Sequence, residues 1–262
     1  MLTLLQIKYL LFDCDNTLVQ SEDVASEICC ELINEVLEKR DVAIRFSPED
    51  LITEFVGLNF RRILVTLQRQ LGFELSENEL KAYNRTQEDR VVANIEAKIQ
   101  PCPGVTEALA RLHESNDFVL AVASSSSLRR IRTCLRVTGL IKYFDDDKIF
   151  SAADSLSAPS SKPDPAVYLH ALEKLGAQAG QCLTVEDSMS GVGAAVGANL
   201  KCLGYVGSTH TLGQRTEMAR QLLDAGCVDI MWHWCNYGNH LSTLESQESD
   251  ELDREKAAQG TN

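Results

Sequence analysis

The 262-residue sequence is short of positive charge: 25 lysines and arginines stand against 38 aspartates and glutamates, a formal net charge of -13. Phosphate backbones and anionic membranes both call for a basic face, so neither nucleic acid nor a membrane is an expected partner. No apolar run approaches the length of a membrane span. The apolar stretch 1–12 is interrupted by Lys8, lacks a small-residue cleavage site and runs straight into Asp13, which reads as a strand rather than a signal peptide. There is no C-x-x-C pair among the nine cysteines, and their number is odd, which argues against a zinc site and a disulfide framework. Buried thiols in a reducing, cytoplasmic setting are the expectation. No internal repeat is present, and no strand-like run occurs between about 20 and 100.

What is present is ordinary globular composition, 44% apolar and 24% charged. Tyr9 to Phe12 reads as a buried strand. From Asp23 to Arg40, Val24, Ile28, Leu32 and Val36 recur every four residues, the mark of an amphipathic helix. Further helical pattern covers 48–56, 60–71 and 77–98, punctuated by Gly57, Gly72 and Ser76. After the breaker cluster Pro101-Cys-Pro-Gly104, apolar strands near 118–123, 148–152, 182–185, 201–206 and 228–231 alternate with helices. That alternation implies a parallel sheet covered on both faces. The expected architecture is α/β: a Rossmann-like parallel-sheet core from 1–19 plus 101–243, an inserted all-helical domain at 20–100, and an acidic, disordered tail at 244–262. The acidity is uneven, since residues 22–54 carry ten acids and three bases, and 245–256 six acids and two bases.

Ligands of open α/β sheets bind beyond the carboxyl ends of the strands. The polar residues there are Asp13, Asp15, Asn16 and Thr17, then Ser124 to Ser127, then Asp154 and Lys162, then Glu186, Asp187 and Ser188. Four of these carboxylates in one crevice, Asp13, Asp15, Glu186 and Asp187, repel each other unless a cation is present, and oxygen-only ligands suit Mg²⁺. A lysine and a hydroxyl beside them complete what phosphoryl transfer requires. Taken singly, each element has an ordinary explanation as turn, loop or helix cap; the conjunction, each at the end of its strand, singles out the site. Gly191, Gly193 and Gly197 lack the dinucleotide spacing, because Val196 stands where the third glycine belongs, and read instead as close packing of helix on sheet.

These motifs (Asp13-Cys-Asp-Asn-Thr-Leu-Val, Ala121-Val-Ala-Ser124, Ser161-Lys162-Pro-Asp-Pro and Val185-Glu186-Asp187-Ser-Met-Ser-Gly191) resemble those of the haloacid dehalogenase superfamily, in its phosphatase and β-phosphoglucomutase branch. The resemblance spans about 1–235, and the helical insert is similar to the family's small cap. It implies a phosphoric monoester hydrolase. Asp13 would be the nucleophile, forming an aspartyl-phosphate, and Asp15 the acid and base. Asp13, Asp15 (through its backbone carbonyl), Glu186 and Asp187 would bind Mg²⁺, while Ser124, Ser125 and Lys162 would bind phosphate. The cap would close over a small-molecule phosphate ester, and no obligatory protein partner is implied. The family's dehalogenases lack the second carboxylate, so Asp15 argues against dehalogenation. The hinge threonine and histidine of the mutases fall at Ser21 and Ala25, and their phosphate-gripping arginine at Phe60, beside Arg61. A phosphatase is thus favoured over a sugar-phosphate mutase. Gln20 and Asn16 also depart from the family pattern.

Substrate-reading candidates in the cap are Asn59, Arg61, Arg62 and Tyr83, each equally at home on a solvated helix face. Arg129, Arg130, Arg132 and Arg136 read as one face of a surface helix, with contact to a substrate anion as the alternative for Arg129 or Arg130. The overall pattern, including the Ser124–Ser127 run, is similar to fungal members, some relatives of which dephosphorylate terpenyl phosphates.

Overall fold

Among the described residues, six short apolar strands form one sheet. They are β1 (Tyr9–Phe12), β2 (Val119–Ser124), β3 (Ile149–Ser151), β4 (Cys182–Glu186), β5 (Lys201–Tyr205) and β6 (Asp229–Met231). The computed structural model describes residues 6–55, 58–209, 211–244 and 246. The strands lie in the order β3-β2-β1-β4-β5-β6, and every neighbouring pair is parallel. Leu10, Leu11 and Phe12 are wholly buried, as a central parallel strand covered on both faces demands. This is the expected α/β, Rossmann-like sheet, with strand ends within one or two residues of the expected ones.

The contacts divide the chain into two units, Met1–Gln20 with Pro101–Asn262 and, separately, Ser21–Gln100. The second unit holds α1 (Glu22–Lys39), α2 (Pro48–Glu54), α3 (Phe60–Leu71) and α4 (Glu77–Lys98). Their starts follow local chemistry: Ser47 with Asp50 and Ser76 with Glu79 form reciprocal capping boxes. Gly72, at φ 72°, ends α3 in the left-handed conformation that glycine adopts without strain. Ile33, Val36, Leu37, Leu64, Leu67 and Leu80 are among the residues of its core.

The sheet unit adds α5 (Val105–Ser115), α6 (Leu128–Val137), α7 (Ala166–Leu175), α8 (Met189–Gly197) and α9 (Leu212–Asp224). Where the chain leaves and re-enters this unit, Cys102 N–H donates to the Leu18 carbonyl (2.9 Å) and the Gln20 amide to the Pro101 carbonyl (3.1 Å). After β6, Trp234 is buried against Phe12, Tyr205 and Tyr237, with ring centroids 5.8, 5.7 and 5.5 Å away. Its indole N–H donates to the Thr17 carbonyl at 3.1 Å, so the end of the sheet buttresses the loop after β1. Leu241 and Leu244 are also buried. Gly57 and, apart from Leu244 and Ser246, the acidic stretch 244–262 lie outside the described residues. Among the described residues no helix is long and apolar enough to cross a membrane.

Candidate active site

The connections part company at β1, which sits between β2 and β4, and such a switch point opens a crevice at the carboxyl ends of the strands. Asp13 follows β1, with its backbone N–H donating to the Val185 carbonyl at 3.0 Å. Ser124 ends β2, Glu186 ends β4, and Lys162 enters from the connection between β3 and α7.

Lys162 is the hub. Its Nζ donates to Asp13 Oδ1 at 2.6 Å, to Glu186 Oε1 at 2.6 Å and to the Ala123 carbonyl at 2.8 Å. Side-chain exposures are 4% for Lys162, 9% for Asp13 and 0% for Glu186. Burial favours a neutral amine, but the two carboxylates outweigh it and hold the Lys162 pKa above its ordinary value. Burial pushes the Asp13 carboxyl up; Lys162 pulls it down, Glu186 and Asp15 push it up again, and the balance stands at about 7.

Glu186 Oε1 also accepts from the hydroxyl of Tyr168, which burial keeps protonated by pushing its pKa well up. Glu186 Oε2 is buried with no hydrogen-bond partner among the described residues. It faces Gly191, where an added Cβ would lie 1.8 Å from that oxygen. An orphaned buried carboxylate oxygen costs several kcal/mol unless a cation meets it. Asp13, Glu186 and Asp187 each offer an oxygen within 4.8 Å of the others, and Thr17 Oγ1 donates to Asp187 Oδ1 at 3.4 Å. This all-oxygen set, with its orphaned atom, fits a hard divalent cation such as Mg²⁺.

The serine loop is tied to the lysine loop, since Ser125 Oγ accepts from Lys162 N–H at 3.0 Å and Ser124 Oγ from Ser126 N–H at 3.1 Å. The Asp15 side chain stands outside the three-carboxylate group. Its Oδ1 accepts from Arg130 Nη2 and its Oδ2 from Ser126 Oγ, both at 2.6 Å. Asn16 takes φ 57°, a left-handed turn that asparagine tolerates.

Two expectations change. Arg130 does not lie on a solvated helix face: it is turned onto Asp15, while Arg132 pairs with Asp146. Of the glycines of α8, only Gly191 packs on the sheet, against the last residue of β4. Gly191 clears space for the Glu186 carboxylate, and Gly193 and Gly197 pass close to Pro163 and Pro165. Asp154, which is not among the four carboxylates, accepts from Leu128 N–H at 2.7 Å at the start of α6. In the helical unit, Asn59 Oδ1 caps α3 by accepting from Arg62 N–H, and Arg61 makes a two-point ion pair with Glu77 at 2.8 Å. Arg62 is exposed, and Tyr83 lies under Lys39. The contacts of Tyr168 with Glu186 and of Trp234 with Thr17 are not signalled in the sequence, because nothing near either residue in the chain points to them.

A family model for haloacid dehalogenase-like hydrolases matches residues 7–199. The chain is 30% identical over 224 residues to a phosphorylated carbohydrates phosphatase of Thermotoga maritima, covering 84% of this chain and 92% of that one. It is 23% identical over 205 residues to 6-phosphogluconate phosphatase of Escherichia coli, covering 78% and 85%. Among solved structures, a conserved haloacid dehalogenase-like protein of unknown function from Agrobacterium tumefaciens superposes with TM-score 0.70 at 25% identity, covering 91% of this chain and 99% of that one. A putative β-phosphoglucomutase from Thermotoga maritima does so with TM-score 0.65 at 27% identity, covering 91% and 100%.

Proposed function

The chain belongs to the haloacid dehalogenase-like hydrolase family as a phosphoric monoester hydrolase, and we propose that it is a Mg²⁺-dependent phosphatase of small phosphorylated sugars or sugar acids. The observation that carries this reading is the buried Lys162 ammonium, shared at 2.6 Å by Asp13 and Glu186 where β1 and β4 end. The substrate class follows the names of the two relatives.

In this mechanism the Asp13 carboxylate attacks phosphorus. The P–O bond to the organic group breaks, and Asp15 gives a proton to the departing alkoxide. Asp15 then takes a proton from water, which attacks the aspartyl-phosphate, releasing inorganic phosphate and restoring the Asp13 carboxylate. Lys162 and the Ser124 hydroxyl hold phosphoryl oxygens and offset the charge that grows on them. Asp13, Glu186, Asp187 and the Asp15 carbonyl would hold Mg²⁺, which when bound supplies positive charge against the phosphoryl group and the clustered carboxylates.

Phosphate release from a panel of sugar phosphates, sugar-acid phosphates and terpenyl phosphates tests the reading. Release that needs Mg²⁺ and disappears in Asp13→Asn supports it, and the preferred ester names the class. No release from any ester overturns it. Isomerisation of β-glucose 1-phosphate, stimulated by a bisphosphate and without net phosphate release, would make the chain a mutase.

A further inference from the structure

Asp15 is held at both oxygens, by Arg130 on Oδ1 and Ser126 on Oδ2. Its two partners come from one anchored stretch of chain. Arg130 is the third residue of α6, and its N–H donates to the capping Ser127 hydroxyl at 3.1 Å. The neighbouring Leu128 N–H is fixed on Asp154, and the Ser126 carbonyl accepts from Ser151 Oγ at 2.7 Å. The ion pair is sheltered, with 15% of the Arg130 side chain and 26% of the Asp15 side chain exposed. An aspartate turns about two torsions only, so bonds from two fixed donors leave it a single orientation.

We propose that Arg130 is a positioning residue for Asp15: the Arg130–Ser126 clamp fixes the carboxylate that exchanges the proton with the leaving group. The inference rests on the phosphatase reading, and it assigns Arg130 an action through Asp15 rather than on substrate. A guanidinium only donates, so Oδ1 stays an acceptor throughout. Proton exchange falls to Oδ2, beside the Ser126 hydroxyl, which can donate or accept. Arg130 on Asp15 adds a second cation to the one that Lys162 brings to Asp13 and Glu186. A charge-assisted contact of this geometry is among the stronger hydrogen bonds a side chain makes.

The test uses two esters: an alkyl sugar phosphate, whose alkoxide needs a proton to leave, and p-nitrophenyl phosphate, whose phenolate leaves without one. For both, kcat/KM reports transfer of the phosphoryl group to Asp13. Arg130→Met is expected to lower kcat/KM on the alkyl ester about 100-fold and on the aryl ester less than about 5-fold, the range of general-acid effects. The loss should fall in kcat rather than KM, and Arg130→Lys should recover most of it. Ser126→Ala removes the other half of the clamp and should show the same selectivity at smaller size; it is the deciding variant if Arg130→Met does not fold. Equal losses on both esters, a change confined to KM, or a gain on the alkyl ester overturns the inference while leaving the phosphatase reading intact. A wild-type chain that cleaves neither ester overturns both.

Discussion

The two units of this chain differ in one respect: both carry solvated ion pairs, but the charges sealed at the strand ends belong to the sheet unit. In the helical unit the ion pairs lie in water: the Arg61 and Glu77 side chains are 45% and 56% exposed, and Arg40–Glu79 and Arg90–Glu35 are also solvated. Such pairs contribute little, because solvent screens them and two long side chains must be ordered. In the sheet unit Lys162, Asp13 and Glu186 are sealed from water, where each charge carries a desolvation cost of several kcal/mol. Exposed charge in the helical unit can be exchanged at little cost; charge at the strand ends is tolerable only as a mutually compensating set. Among the described residues the set leaves one Glu186 oxygen without a partner, so a cation could still join it.

The contrast can be broken most sharply at its centre. Lys162→Met strands two buried carboxylates, and is expected to destabilise the protein by about 3–5 kcal/mol and to lower phosphate release at least ~1,000-fold; thermal denaturation and a phosphate assay read both. A Lys162→Met protein as stable as wild type would show that the carboxylates do not depend on it. Next in size is Gly191→Ala, whose methyl would collide with Glu186 Oε2. A cost of about 1–3 kcal/mol is expected, together with weaker Mg²⁺ binding by calorimetry. Gly213→Ala, where the added carbon meets nothing within 4 Å, is the control.

A pH series sharpens the same comparison. The folded Asp13 carboxyl stands at about 7 against an ordinary value of 3.8. Deprotonation is therefore harder in the folded chain than in the unfolded one. The stability this group contributes is complete below about pH 4 and is lost as the pH rises through about 7 in metal-free protein. Mg²⁺ binds the ionised carboxylates, so its addition should raise Tm by several degrees more at pH 8 than at pH 5. An equal gain at both would count against a metal at Asp13. The smallest effect belongs to the helical unit, where Arg61→Ala should cost less than about 1 kcal/mol, because its pair with Glu77 is solvated. A larger loss would mean that exposed pairs also support this fold.

How much of this the sequence discloses depends on range. Strands and helices were legible because their signals are local: apolar runs such as Tyr9–Phe12, the four-residue rhythm of α1, and the serine caps at Ser47 and Ser76. Asp13, Lys162, Glu186 and Asp187 were legible as a group because each follows a strand end, and a parallel sheet gathers strand ends. Arg130 was not, since Arg129, Arg130, Arg132 and Arg136 together imitate a wet helix face. Only the approach of the loop after β1, 115 residues away, turns one of them inward. Gly193 and Gly197 are misleading for a related reason: their neighbours are Pro163 and Pro165 of the loop before α7, not the sheet. Tyr168 reaches Glu186 across 18 residues of chain with no motif around it.

The bond from Trp234 to the Thr17 carbonyl joins residues 217 positions apart, and this has a meaning in time. Asp13 and Thr17 leave the ribosome well before Trp234. At about 5–20 residues per second, the loop after β1 waits roughly 10–40 s for the ring that supports it. By then every motif has long been synthesised. A chain cut just before Trp234 therefore keeps all of its reactive groups and loses the keystone that the first of them rests on.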